Sequence, residues 1–342
     1  MIERATDHCP IRSVPLVYVR RTSVCLFHPV VDFLFLGGWS IVVMILCFLL
    51  PLKQASFFYF FFTVGWFING PHFAATFHKV YSDRTFLKSS WVSAFLLPVL
   101  GLIVIGFVYL NQELIQYYIK IYIYWSSYHY AGQTFGVTLL LLKKNRVTSE
   151  ARRYLYLSTL GIACCGIILH ELSPSYQFIF DVKMYSLVLP SYVFYVTQSL
   201  TGIFLGLFVL HLVGPNSLSS ADFPWLAMVP ILSLYFWFLI GPKNELFYAF
   251  VPVAHSLQYL YVVWVRRREQ SFAPDEKNWS SLIWFFSIFL IAMGIFRMLP
   301  IGINLLVSEG VILSILIFFG IQMHHFYLDG LIWKGGNQWH SA

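Results

Sequence analysis

The chain has 342 residues, of which 58% are hydrophobic and 11% charged, with a formal net charge of +7. A water-soluble domain carries about 25% charged residues, so this composition excludes a conventional soluble surface. The basic residues lie in short segments between apolar runs, which excludes a nucleic-acid-binding patch and makes them signals of membrane topology.

Residues 1–29 contain Asp7, Pro10, Pro15 and scattered arginines, without the short apolar core and small-residue cleavage site of a signal peptide. They are expected to form a cytoplasmic N-terminal arm, with Val14 to Phe27 on the membrane surface. A spanning helix needs about 20 mostly apolar residues. Such runs recur near residues 30–51, 56–78, 91–110, 114–142, 154–172, 185–212, 223–240, 244–265, 279–299 and 307–330. The loops between them are too short for a separate soluble domain. The expectation is an all-α polytopic integral membrane helical bundle of about ten transmembrane helices over 30–330, followed by a short cytoplasmic tail over 331–342. Asn69-Gly70-Pro71 is expected to interrupt span two, Pro190 to lie early in span six and Pro252 inside span eight. The cysteines Cys9, Cys25, Cys47, Cys164 and Cys165 show no metal or disulfide spacing and read as small packing residues.

With the N-terminus inside, 17 of the 22 Lys and Arg residues fall on the cytoplasmic side, and Lys53, Lys120, Lys183, Lys243 and Arg297 fall outside. That asymmetry supports an even number of spans with both termini cytoplasmic. The loop after span six, which lacks Lys and Arg, contributes nothing to it. Short loops and the absence of eukaryotic sorting signals suggest the inner membrane of a bacterium.

Polar groups are expensive inside a bilayer and gather where there is a function. Here they concentrate in the even-numbered spans. Span two carries Asn69, His72 and Thr76; span four carries Ser126, His129 and Gln133; span eight carries His255, Gln258 and Tyr259; span ten carries Gln322, His325 and Asp329, with His324 alongside. Spacings of three, four and seven place these groups on one face of each helix. The even spans all run in the same direction, so His72, His129, His255, His324 and His325 fall at comparable depth. Imidazoles converging from facing helices are what a metal site in a bundle core requires. The alternatives for the same residues are a structural hydrogen-bond network and a proton or ion path. The ligand set is expected to be His72, His129, His255 and His325, with His324 in reserve. Asn69, Gln133, Gln258 and Gln322 are expected to surround and orient the ligands, and Asp329 is the catalytic carboxylate candidate. Imidazoles with one carboxylate and no thiolate suit iron, zinc or copper. His8, His28, His78, His170, His211 and His340 lie at membrane edges or outside the spans, where a structural role is expected.

On Gly70-Pro71-His72, His129 and the late His324-His325 pair, the layout resembles the bacterial membrane β-carotene dioxygenases associated with rhodopsins. The resemblance implies a polytopic inner-membrane fold, a histidine-bound iron with His72, His129, His255 and His325 as ligands, and a hydrophobic small-molecule substrate held in the bundle. The clustered histidine boxes of membrane desaturases and hydroxylases are absent. His324-His325-Phe326-Tyr327-Leu328-Asp329-Gly330 is similar to the His-His-x-x-x-Asp-Gly string of soluble acyl-transferring condensation domains, but it ends a hydrophobic helix here. The functional expectation is an iron-dependent oxygenase or other oxidoreductase acting on a lipid-soluble substrate. A polytopic transporter using the same polar cluster and a membrane acyltransferase with His325 as general base are the alternatives. No internal repeat relates 30–172 to 185–330, which weighs against the transporter.

Overall fold

A backbone amide in hydrocarbon has no water to bond, so a chain this apolar has to close its hydrogen bonds within helices. The computed structural model describes residues 25–49, 54–142, 147–172, 178–179, 182–213, 223–243, 247–270, 274–307 and 310–334. Among these residues the only strands are a two-residue hairpin, β1 (Phe178–Ile179) and β2 (Val182–Lys183), paired antiparallel. The rest is helical with short connections. The helices are α1 (Pro29–Leu49), α2 (Gln54–Ser82), α3 (Arg84–Ser89), α4 (Val92–Leu110), α5 (Ile115–Leu141), α6 (Ser149–Leu172), α7 (Tyr192–Val213), α8 (Trp225–Ile240), α9 (Phe247–Gln270), α10 over 274–306, and α11 (Gly310–Lys334). The fold is all-α.

Six of these helices are long and apolar enough to cross a bilayer: α1, α4, α6, α7, α10 and α11. α2, α5 and α9 are as long, at 29, 27 and 24 residues, but lie outside that set. They carry His72, His129 and His255, and their polar groups are turned inward. Helices surrounded by other helices can afford polar residues, whereas α4 and α10 present Ile103, Phe107, Ile283 and Phe286 outward as a lipid-compatible surface.

Local structure departs from the sequence expectation in several places. α2 runs unbroken through Asn69-Gly70-Pro71, and α9 runs through Pro252. Gly70 is where α2 presses on α10; a Cβ there would stand 3.0 Å from the Cβ of Ala292. Pro190, expected early in the sixth predicted span, precedes the helix itself, because α7 begins only at Tyr192 and residues 184–190 are irregular. The distortions fall elsewhere, as wide π-type turns at Leu34–Gly38, Val92–Leu96, Phe236–Ile240 and Gly294–Met298. The first is sharpest: Gly37 has φ 129°, and any side chain on it would overlap Ser233 of α8. Only glycine takes that backbone conformation at little cost. The start of α1 is set by His28, whose Nδ1 accepts from the Val30 amide, and by Pro29 in the first turn. Residues 1–24 of the arm expected over 1–29, with most of its Val14–Phe27 surface segment, and the end of the tail from 335 onward lie outside the described residues.

α2, α9, α5 and α11 pack in a closed ring: α2 on α9, α9 on α5, α5 on α11 and α11 on α2. The remaining helices surround it. α10 covers α2, α4 covers α11, α8 lies on α5, and α6 and α7 form a closely packed pair beside α5. Gly161 permits that last approach, since a side chain there would strike Thr201 of α7. Such small-residue contacts are how helices associate where lipid removes the hydrophobic driving force.

A buried Lys–Glu ion pair lies inside this shell. Lys120, expected from sequence to sit on the outer side, lies within α5, and its Nζ donates to Glu171 of α6 at 2.8 Å and to the Tyr185 carbonyl. Glu171 also accepts from the Tyr124 hydroxyl at 2.6 Å and the Leu187 amide at 2.7 Å. The pair therefore clamps the 184–190 segment onto the ends of α5 and α6. Removing one partner of a buried pair costs about 3–5 kcal/mol, because the other charge is left unmatched. Lys120→Met should lower the thermal unfolding midpoint in detergent, and Lys120→Met/Glu171→Gln should recover most of the loss. A single variant that melts like wild type would contradict this clamp.

Candidate metal centre

At the centre of the four-helix ring, α2, α5 and α11 bring His72, His129 and His325 together. One nitrogen from each ring lies within 4.8 Å of the others, and all three residues are buried. His72 Nε2 and His325 Nε2 are 3.1 Å apart. Two imidazole nitrogens on one metal, each about 2.0–2.1 Å from it, are separated by a comparable distance. His255 of α9 stands at the rim, its ring centroid 5.1 Å from His72 and 5.0 Å from His129. It is held there by Tyr130, stacked on it at 4.0 Å.

The hydrogen bonding of the cluster is incomplete. His72 Nδ1, His129 Nε2, His325 Nδ1 and both nitrogens of His255 are buried without a hydrogen-bond partner. A buried polar atom left unsatisfied costs about 1–3 kcal/mol, so the arrangement is expensive as a purely structural network. The donor set fits a transition metal: neutral imidazoles converge, one carboxylate is near, and Cys25, Cys47, Cys164 and Cys165 form no part of the cluster.

Asp329, one turn after His325, places Oδ2 3.9 Å from His129 Nδ1. Thr76 Oγ1 lies 3.5 Å from Asp329 Oδ1 and 2.8 Å from the Tyr259 hydroxyl, which also bonds Asp329. α2, α9 and α11 thus share one polar string beside the imidazoles. With Nδ1 of His129 facing a carboxylate, Nε2 is the nitrogen left open, which is how carboxylate–histidine pairs present a ring to a metal.

The amides expected to orient the rings are placed differently. Gln133 Nε2 donates to the backbone carbonyl of His255 at 3.0 Å and to Gln258 Oε1 at 2.9 Å; Gln258 Nε2 donates to the Leu36 carbonyl at 2.7 Å. Neither side chain bonds an imidazole. They fix the backbone under His255 and take up a carbonyl freed by the distorted turn in α1. Gln322 accepts from the Tyr122 hydroxyl at 2.9 Å, and Asn69 Oδ1 is buried without a partner. His324 is turned away from the cluster: Nε2 bonds the Ser93 carbonyl at 2.8 Å, and the ring lies against Phe77. Successive residues on a helix point about 100° apart, so His324 and His325 cannot face the same point. His28 caps α1, His211 bonds the Leu207 carbonyl and His170 adjoins Glu171. His8 and His340 lie outside the described residues.

Three contributors to the site gave no sequence signal. The Leu36 carbonyl is exposed to Gln258 only by the turn at Gly37. Tyr130 could not be distinguished from any other aromatic residue in a Tyr-rich helix. Asp32, in a span that reads as featureless, is fully buried and accepts from the Leu26 and Phe27 amides and the Tyr261 hydroxyl, tying the start of α1 to α9.

No family model, curated protein or solved structure matches the chain. The fold and its apolar helices define an all-α integral membrane protein. What distinguishes it within that class is the buried histidine cluster at the meeting of four helices.

Gln133→Leu removes the donor that Gln258 Oε1 and the His255 carbonyl share. The expected loss is about 1–3 kcal/mol, read as a lower unfolding midpoint in detergent. Gln322→Leu, which leaves the Leu36–Gln258–Gln133 string intact, should lower the midpoint less. Equal losses would contradict a special role for that string.

Proposed function

We propose that this chain is a membrane-embedded, histidine-ligated metalloenzyme, an iron-dependent oxygenase or related oxidoreductase acting on a lipid-soluble substrate. The observation that carries the reading is the set of three imidazoles from three helices whose nitrogens lie within 4.8 Å of one another. His72, His129 and His325 hold the metal, and His255 completes the set from the rim. Iron held there supplies one-electron chemistry toward dioxygen, and zinc or copper suits the same donors. Among the described residues Asp329 is the carboxylate beside the rings, and it keeps the His129 proton on Nδ1. Thr76 and Tyr259 fix Asp329 in turn. The surrounding apolar side chains exclude water and admit a substrate from the bilayer. The distribution of basic residues supports a reading with both termini in the cytoplasm, ten crossings and the bacterial inner membrane as the setting.

The reading predicts stoichiometric iron, copper or zinc in the purified protein, measured by elemental analysis. His72→Ala, His129→Ala and His325→Ala should each abolish retention. His324→Ala should retain the metal, because its ring faces Ser93. Asp329→Asn should weaken metal affinity about 10–100-fold while leaving a site. Wild-type protein without stoichiometric metal would overturn the reading. Metal flux in reconstituted vesicles, without dioxygen consumption on any lipid-soluble substrate, would replace the enzyme with a transporter.

A further inference from the structure

A second site of a different character opens at the end of the bundle where α2 and α9 finish and α10 begins. A cleft of about 460 Å³ lies there, between His78 of α2, Arg267 of α9 and the face of α10 formed by Ser280, Ile283, Trp284 and Ser287. That volume is within the range of small-molecule sites, about 300–1,000 Å³. Arg267 is aimed by a cation–π contact, its guanidinium 5.2 Å from the Trp284 ring centroid. Its neighbour Arg268 is engaged elsewhere, over Phe27 and Trp264. Ser280 and Ser287 are two turns apart and share the face of α10 that carries Trp284. The cleft therefore presents a guanidinium, an imidazole and hydroxyls around one small volume.

Its surroundings specify the kind of ligand. Trp279, at the mouth, is 71% exposed, and the adjoining strip of α10 exposes Leu282, Ile283 and Phe286 at 60%, 64% and 63%. A tryptophan at the end of an apolar helix face marks the headgroup level of a bilayer. A soluble anion would use the guanidinium and leave the apolar strip uncovered. A neutral lipid would cover the strip and make no charge-complementary contact with the guanidinium. An amphiphile with a phosphate head and acyl tails satisfies both. Basic residues just beyond a membrane helix bind anionic headgroups by the same charge complementarity.

We infer that this cleft binds one anionic phospholipid, its phosphate on Arg267 with His78 and Ser280, and its acyl chain along Ile283 and Phe286. The inference does not depend on the metal centre. The test uses the full chain in detergent, with native mass spectrometry during titration with phosphatidylglycerol, phosphatidylcholine or inorganic phosphate. Wild type should retain one phosphatidylglycerol with at least about tenfold preference over phosphatidylcholine, which is about 1.4 kcal/mol, and inorganic phosphate should not displace it. Arg267→Gln should remove the preference. Ser280→Phe, which fills the cleft and leaves Arg267 in place, should remove binding in protein that melts like wild type. Arg268→Gln should bind as wild type does. Equal retention of the two lipids, an unchanged preference in Arg267→Gln, or unchanged binding in Ser280→Phe would overturn the inference. Displacement by inorganic phosphate at equal concentration would overturn the lipid source and leave a site for soluble phosphate esters.

Discussion

The structure depends on one requirement: polar groups placed deep in an apolar bundle need partners, because neither lipid nor hydrocarbon side chains supply any. His72, His129, His255 and His325 sit at one level on four helices that close on one another. Their neighbours are arranged around that requirement. The Asp329–Thr76–Tyr259 string satisfies one side of the cluster, and Gln133 with Gln258 satisfies the backbone below it and the carbonyl released at Leu36. Five ring nitrogens remain without a protein partner. A metal seated between His72 Nε2 and His325 Nε2 would take up His129 Nε2 and one nitrogen of His255 among them, and those two distinguish a site from a network that is complete in itself.

Two organising features lie outside the histidine-bearing ring. The Lys120–Glu171 pair ties an irregular segment to the ends of α5 and α6, so charge is used where the chain leaves helical structure. The turn at Gly37 bends α1 against α8 and presents Leu36 to Gln258. In both places irregular backbone is tolerated because a buried side chain takes up the groups it frees. The phosphate-binding cleft proposed at Arg267 follows the opposite logic: it gathers charge at the end of the helices, where lipid headgroups can answer it.

Much of the fold was legible because helix length and apolar composition are local properties. All ten predicted segments contain helix, six of them long and apolar enough to cross a bilayer, and the helical spacing of Asn69, His72 and Thr76 on α2, or of Gln322, His325 and Asp329 on α11, follows from geometry alone. The details that failed depend on tertiary packing. Asn69-Gly70-Pro71 has the composition of a break, yet Gly70 serves close packing against Ala292 and the helix continues. Lys120 read only as an outer-side charge in span four, and its pairing was not legible because its partner, Glu171, is 51 positions away. His324 and His325 are equivalent as letters, and only the orientation of α11 turns one to Ser93 and the other to His72. Gln133 and Gln258 read as ring partners, but their reach is taken by backbone carbonyls that periodicity does not reveal.

The central claim, that His72, His129 and His325 bind one metal between them, is tested most directly by X-ray absorption at the edge of the metal that co-purifies with the chain. The account predicts a nearest shell of at least three imidazole nitrogens at about 2.0–2.1 Å, with the outer-shell scattering of imidazole rings, reduced by one ring in His325→Gln protein, which keeps a side-chain oxygen ligand and is loaded with excess metal. A shell of oxygen or sulfur alone, or one that the substitution leaves unchanged, would contradict it.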